Sequence, residues 1–75
     1  MNNHQLIPHP IHTNYFINRY EEIYHALGDV KVRLKPLVDE DLELYIPVTV
    51  RSANGKESPT RLYVREFKKT VFKKV

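Results

Sequence analysis

The chain has no cysteine, no tryptophan and only two glycines in 75 residues. Without cysteine, neither a disulfide nor a thiolate-bound metal can staple the fold, and a reducing compartment is indicated. Also missing is any apolar run near the roughly 20 residues that a membrane helix needs. The opening stretch Met1-Asn2-Asn3-His4-Gln5-Leu6-Ile7-Pro8 has neither a basic region nor an apolar one, so no secretory signal is expected there. Catalytic signatures are absent: no glycine-rich phosphate loop, no nucleophile elbow and no Cys/His pair. A chain this short buries only about 60% of its unfolded surface, which leaves little material for a deep reaction pocket. The expectation is one small non-enzymatic domain, cytoplasmic and monomeric, with no cofactor, no metal and no membrane contact.

Charge, by contrast, is abundant and polarised. Residues 51–75 hold eight of the twelve Lys and Arg and two of the nine Asp and Glu, whereas residues 1–50 are net acidic. A positive C-terminal third favours polyanions or acidic protein surfaces.

Pro8 and Pro10 block helix and remove backbone donors, so residues 1–12 are expected as a flexible, extended N-terminal arm. Residues 13–75 are expected as a single small α+β domain with a basic C-terminal segment. Thr13 or Asn14 reads as the N-cap of a helix over 14–27. Phe16, Tyr20, Ile23, Tyr24 and Leu27 fall on one stripe of a 3.6-residue period, and Gly28 follows as the stop. Val30, Val32 and Leu34 then alternate with Lys31, Arg33 and Lys35, a half-buried strand ending at Pro36. Leu42, Leu44, Ile46, Val48 and Val50 form the inward face of a second strand, and Asn54-Gly55 suits a hairpin turn. Leu62 and Val64 continue a third strand. Beyond Val64 the alternation breaks, because Glu66 would point inward. A bulged strand that returns Phe67 and Val71 to the core is preferred on propensity, with a short basic helix carrying Val64, Phe67, Val71 and Val75 as the alternative. The predicted architecture is α-β-β-β: one N-terminal helix packed on a three-stranded antiparallel sheet.

A single helix covers one sheet face, and the other is the expected binding surface. That wet face collects Lys31, Arg33, Lys35, Tyr45, Arg51, Arg61, Tyr63 and Arg65, and Lys68 and Lys69 extend it. Arginine and tyrosine are favoured at the centres of protein interfaces. Cations interleaved with flat rings also suit single-stranded nucleic acid, through phosphate neutralisation and base stacking. An ordinary solvated sheet face has the same composition. His9-x-x-His12 has no helix to hold it as a metal site, and Asp39-Glu40-Asp41 lacks the spaced ligands of a calcium loop. Both read as turn chemistry.

In size, lack of cysteine and helix-on-sheet layout the chain resembles the small host-takeover proteins of bacteriophages. The resemblance rests on no motif and transfers no residue. It implies a regulatory protein that docks on a large assembly, RNA polymerase first among them, to inhibit transcription or termination, in the cytoplasm of a bacterial host. Direct binding of nucleic acid through the basic, aromatic sheet face is the alternative.

Overall fold

Residues 14–27, expected as a helix, are instead two strands and the turn between them. The computed structural model describes residues 4–72. Along the chain lie β1 (Ile7–Pro8), β2 (Tyr15–Ile17), β3 (Ile23–Leu27), β4 (Val30–Leu34), β5 (Leu37–Val38), β6 (Leu44–Arg51), β7 (Glu57–Tyr63) and α1 (Val64–Val71). They form two antiparallel sheets in chain order, β1-β2-β3-β4 and β5-β6-β7. The α+β class therefore stands, but the helix is C-terminal and the α-β-β-β order is not found. No helix among the described residues is long and apolar enough to cross a membrane.

Asn18 explains the correction. Its Oδ1 accepts the backbone N–H groups of Tyr20 and Glu22 at 3.0 and 3.1 Å, and its Nδ2 donates to Glu22 Oε1 at 2.8 Å. A side chain that binds the backbone locally offers an alternative to helix and wins where the flanks favour strand. Here the flanks are Tyr15-Phe16-Ile17 and Ile23-Tyr24, aromatic and β-branched. Residues eight apart on the presumed helix stripe, Phe16 and Tyr24, are cross-strand partners instead.

The same loop recurs. Asp39 Oδ1 accepts the N–H groups of Asp41 and Glu43 at 2.8 and 2.9 Å. In each loop the first residue's carbonyl accepts the N–H three positions on, and its own N–H reaches the carbonyl four positions on. This holds for Asn18–Glu22, Asp39–Glu43 and Ser52–Lys56. All three are three-residue hairpin loops whose third residue is left-handed: Glu21 at φ 63°, Leu42 at 64° and Gly55 at 83°. Glycine takes that conformation freely, whereas a side chain there costs on the order of 1–2 kcal/mol. β3 and β4 are joined by the shorter Gly28-Asp29 turn, with Gly28 at φ 63°.

Two residues of the expected N-terminal arm are built into the first sheet as β1. Ile7 pairs with Ile17 and Pro8 with Phe16. His9 is buried, and its Nδ1 accepts the backbone N–H groups of Ile11 and His12, both at 3.0 Å. Its ring meets Phe67 edge-on at 4.9 Å. Residues 1–3 of the arm lie outside the described residues.

Packing explains the C-terminal turn to helix. A continued strand would aim Glu66 at the core, whereas α1 buries Val64 and Phe67 and leaves Glu66 exposed. The bulged strand is thus replaced by its alternative, whose Val75 lies outside the described residues. Glu66 in the first turn and Lys68 and Lys69 in the last suit the helix dipole. The core joins Ile17 and Ile23 of the first sheet to Ile46, Val48 and Leu62 of the second through Val64 and Phe67. Other residues expected inside are not: Leu27 is 55% and Val32 41% exposed, Tyr20 54%.

Ile46→Ala is expected to cost about 2–5 kcal/mol, because the side chain is buried where sheets and helix meet. Val32→Ala should cost much less, well under 1 kcal/mol by the rule for exposed sites. Urea midpoints of the two variants check the order; equal losses would place Val32 in the core.

Burial, and secondarily the neighbouring His12, hold the His9 imidazole below its ordinary pKa. The unfolded chain then binds the extra proton first, so this contribution is complete above about pH 6.5 and is lost as pH falls through the lowered folded value. The urea midpoint should drop between pH 7.5 and 5.5, and His9→Asn, which keeps an acceptor for the two N–H groups, should flatten that dependence. A flat wild-type profile would show that His9 is not held neutral.

Candidate docking surface

The expected binding residues are divided between two sheets. Lys31 and Arg33 share a face of the first sheet with Phe16 and Tyr24, and the Lys31 ammonium sits 5.0 Å from the Phe16 ring centroid. Tyr45, Arg61 and Tyr63 share the outer face of the second sheet, where Tyr45 pairs with Tyr63 and Pro47 with Arg61. Arg51 lies at the far end of that face against Glu57. Lys35 falls in the link between β4 and β5; Arg65, Lys68 and Lys69 are on α1. Lys73 and Lys74 lie outside the described residues.

Tyr45, Arg61 and Tyr63 form a cluster. The Arg61 guanidinium stacks on Tyr45 at 4.6 Å, and the Tyr45 and Tyr63 rings are 5.8 Å apart. Tyr63 donates its hydroxyl hydrogen to Asp39 Oδ2 at 2.9 Å, and Arg61 reaches Glu40 at 3.5 Å. Asp39 thus ties its loop to β7. The backbone N–H of Glu43 is the main reason its carboxyl is held below the usual carboxylate range. Asp39, Glu40 and Asp41 bring ligand atoms within 4.8 Å of one another. Both Asp39 oxygens already accept protein donors, however, which marks the cluster as turn structure.

Most cations of the surface face a carboxylate. Arg33 pairs with Glu22 at 3.3 Å, Arg65 with Glu43 at 3.5 Å and Lys68 with Glu21 at 3.0 Å. Exposed pairs of this kind add little stability, about 0–1 kcal/mol each. Their larger effect is on the field, since they cancel much of the charge that composition suggested. Lys31, Lys35, Lys56 and Lys69 have no carboxylate partner among the described residues.

An open groove of about 570 Å³ lies between two of the hairpin loops and α1. Arg19 and Glu21 come from the Asn18 loop, Leu42 and Glu43 from the Asp39 loop, and Lys68, Lys69 and Phe72 from the helix and its end. Arg19 lies over the Phe72 ring at 4.5 Å. Leu42 is 83% exposed and Leu44, also in the wall, 42%. Of the expected binding residues, Arg65, Lys68 and Lys69 line this groove; Arg19 and Phe72 were not among them, and both leucines were expected inside. The available signal was the repeated spacing of an Asn or Asp four residues before a Glu, with strand-forming residues on either side.

No family model, curated protein or solved structure matches this chain.

Asp39→Ala removes the acceptor for two backbone N–H groups and for Tyr63. It should lower the melting temperature clearly more than Glu40→Ala, whose carboxylate contacts only Arg61 at the surface. Equal melting temperatures would show that the loop holds without it.

Proposed function

We propose that this chain is a non-enzymatic regulatory binding protein that docks on a larger protein assembly. The observation that carries the reading is the groove, where exposed leucines stand among cations and no nucleophile or acid/base pair is set. Exposed apolar side chains beside charges are the make-up of a recognition surface. The stacked Arg61–Tyr45 pair on the second sheet offers further anchoring residues of the type that dominates interfaces. A cytoplasmic, monomeric protein belongs with this reading. The helix-on-sheet layout of the bacteriophage takeover proteins is not found here; size and lack of cysteine are what still resemble them, and RNA polymerase is the first partner to test.

Direct nucleic-acid binding is the second reading, supported by rings and cations on one sheet face. Ion pairing weighs against it: a backbone-tracking groove needs cations free to replace counterions, and Arg33, Arg61, Arg65 and Lys68 each face a carboxylate.

Binding of the full chain to purified bacterial RNA polymerase and to a single-stranded oligonucleotide, each across a salt series, separates the two. The expected outcome is polymerase binding with a shallow salt dependence. For the oligonucleotide, log K should fall by close to one unit of slope per phosphate neutralised. Tight oligonucleotide binding with such a steep slope, and no polymerase binding, would overturn the first reading.

A further inference from the structure

Leu42 occupies a position that its backbone does not favour. Of the three equivalent loops, one places Gly55 at the left-handed residue, where no side chain is strained. A second places Glu21 there, and its carboxylate reaches across to Lys68 at 3.0 Å, so the side chain links loop to helix. The third places a leucine there that is 83% exposed at φ 64°. A lone exposed leucine is ordinary. An exposed leucine held in a strained conformation that glycine would relieve contributes nothing evident to the fold, and such outliers cluster at binding sites.

The surroundings say what it would meet. Leu42 lines the groove with Leu44 and Phe72, an apolar wall. Around it stand Arg65, Lys68 and Lys69 against Glu21 and Glu43, a surplus of positive charge. Lys69 has no carboxylate partner among the described residues. The groove volume falls in the range of ligand sites, roughly 300–1,000 Å³. We propose that the groove is a docking slot for an acidic peptide segment carrying bulky apolar side chains, with Leu42 as the apolar anchor and Lys69 meeting a carboxylate of the segment. The inference rests on the protein-docking reading and gives it a surface and a partner chemistry. Nucleic acid fits this slot less well, because Arg65 and Lys68 already face Glu43 and Glu21.

The test uses the full, isotope-labelled chain and three short synthetic probes: a Glu/Leu peptide, its Lys/Leu counterpart and its Glu/Ser counterpart. The Glu/Leu peptide should shift the amide signals of Leu42, Leu44, Lys69 and Phe72. The other two should bind at least about tenfold more weakly, since charge and apolar contact are both required. Leu42→Gly is the decisive variant. It should keep or raise the melting temperature, because glycine suits the loop, while weakening the Glu/Leu peptide about tenfold or more. Lys69→Glu should weaken it as well.

Unchanged affinity in Leu42→Gly, equal binding of all three peptides, or no shift up to millimolar peptide would overturn the slot. The same variants, assayed on RNA polymerase, keep the two readings apart. If polymerase binding survives Leu42→Gly and Lys69→Glu but is lost in Tyr45→Ala, the slot is wrong and the docking reading stands. Steeply salt-dependent oligonucleotide binding without polymerase binding would remove both.

Discussion

In each of two loops a side-chain oxygen accepts a pair of backbone N–H groups, and the course of the chain depends on it. Asn18 turns β2 into β3; Asp39 turns β5 into β6. Asn18 is 2% exposed, so the N–H groups it satisfies sit where water is scarce and would otherwise be costly to leave unpaired. Once the Asn18 turn is set, Ile17 and Ile23 come together on one sheet, and the Ser52–Lys56 hairpin pairs Ile46 with Leu62 on the other. Phe67 then has a surface to fill. Asp39 also receives the Tyr63 hydroxyl, so the residue that shapes a loop also fixes the strand leading into the helix.

Much of the second sheet was legible in the sequence. Alternation over residues 42–51 and the Asn54-Gly55 pair placed β6, its turn and β7, because period 2 and glycine turn chemistry are local signals. In the first sheet the alternation of Val30, Val32 and Leu34 placed β4, whereas β1, β2 and β3 were not legible. Phe16, Tyr20, Ile23, Tyr24 and Leu27 satisfy a helical period by coincidence, since residues eight apart are neighbours both on a helix face and across a short hairpin. What decided between them was Asn18, an acceptor in the middle of the run, and its partner N–H groups cannot be seen in a pattern of apolar residues. The helix after Val64 was visible only as an alternative. Local propensity favoured strand for Thr70, Val71 and Phe72, and burial of Phe67 against both sheets outweighed it.

The candidate site was less legible still. Lys31 and Arg33 alternate with valines as a wet sheet face should, yet they lie on a different sheet from Tyr45 and Arg61. Composition counted the cations correctly and could not count their partners. Glu22 and Glu43, the closing residues of the two like loops, neutralise Arg33 and Arg65 and so disperse the basic surface. The groove that remains is formed by residues from three separate parts of the chain, and no one stretch of sequence announces it.

Strand order and chain order coincide in both sheets, and that has a consequence for how the molecule assembles. Every strand pairs with its neighbour in sequence, so each pairing closes a short loop at small entropic cost, and such topologies fold quickly. The two sheets are not joined by any strand; α1, the last of the described elements, supplies the Val64 and Phe67 that lie between them. During synthesis from the N-terminus, both meanders therefore exist before the wedge that unites them. Until the helix arrives, Ile17, Ile23 and Ile46 remain uncovered, which makes the interval before α1 emerges the chain's period of greatest exposure to misassembly.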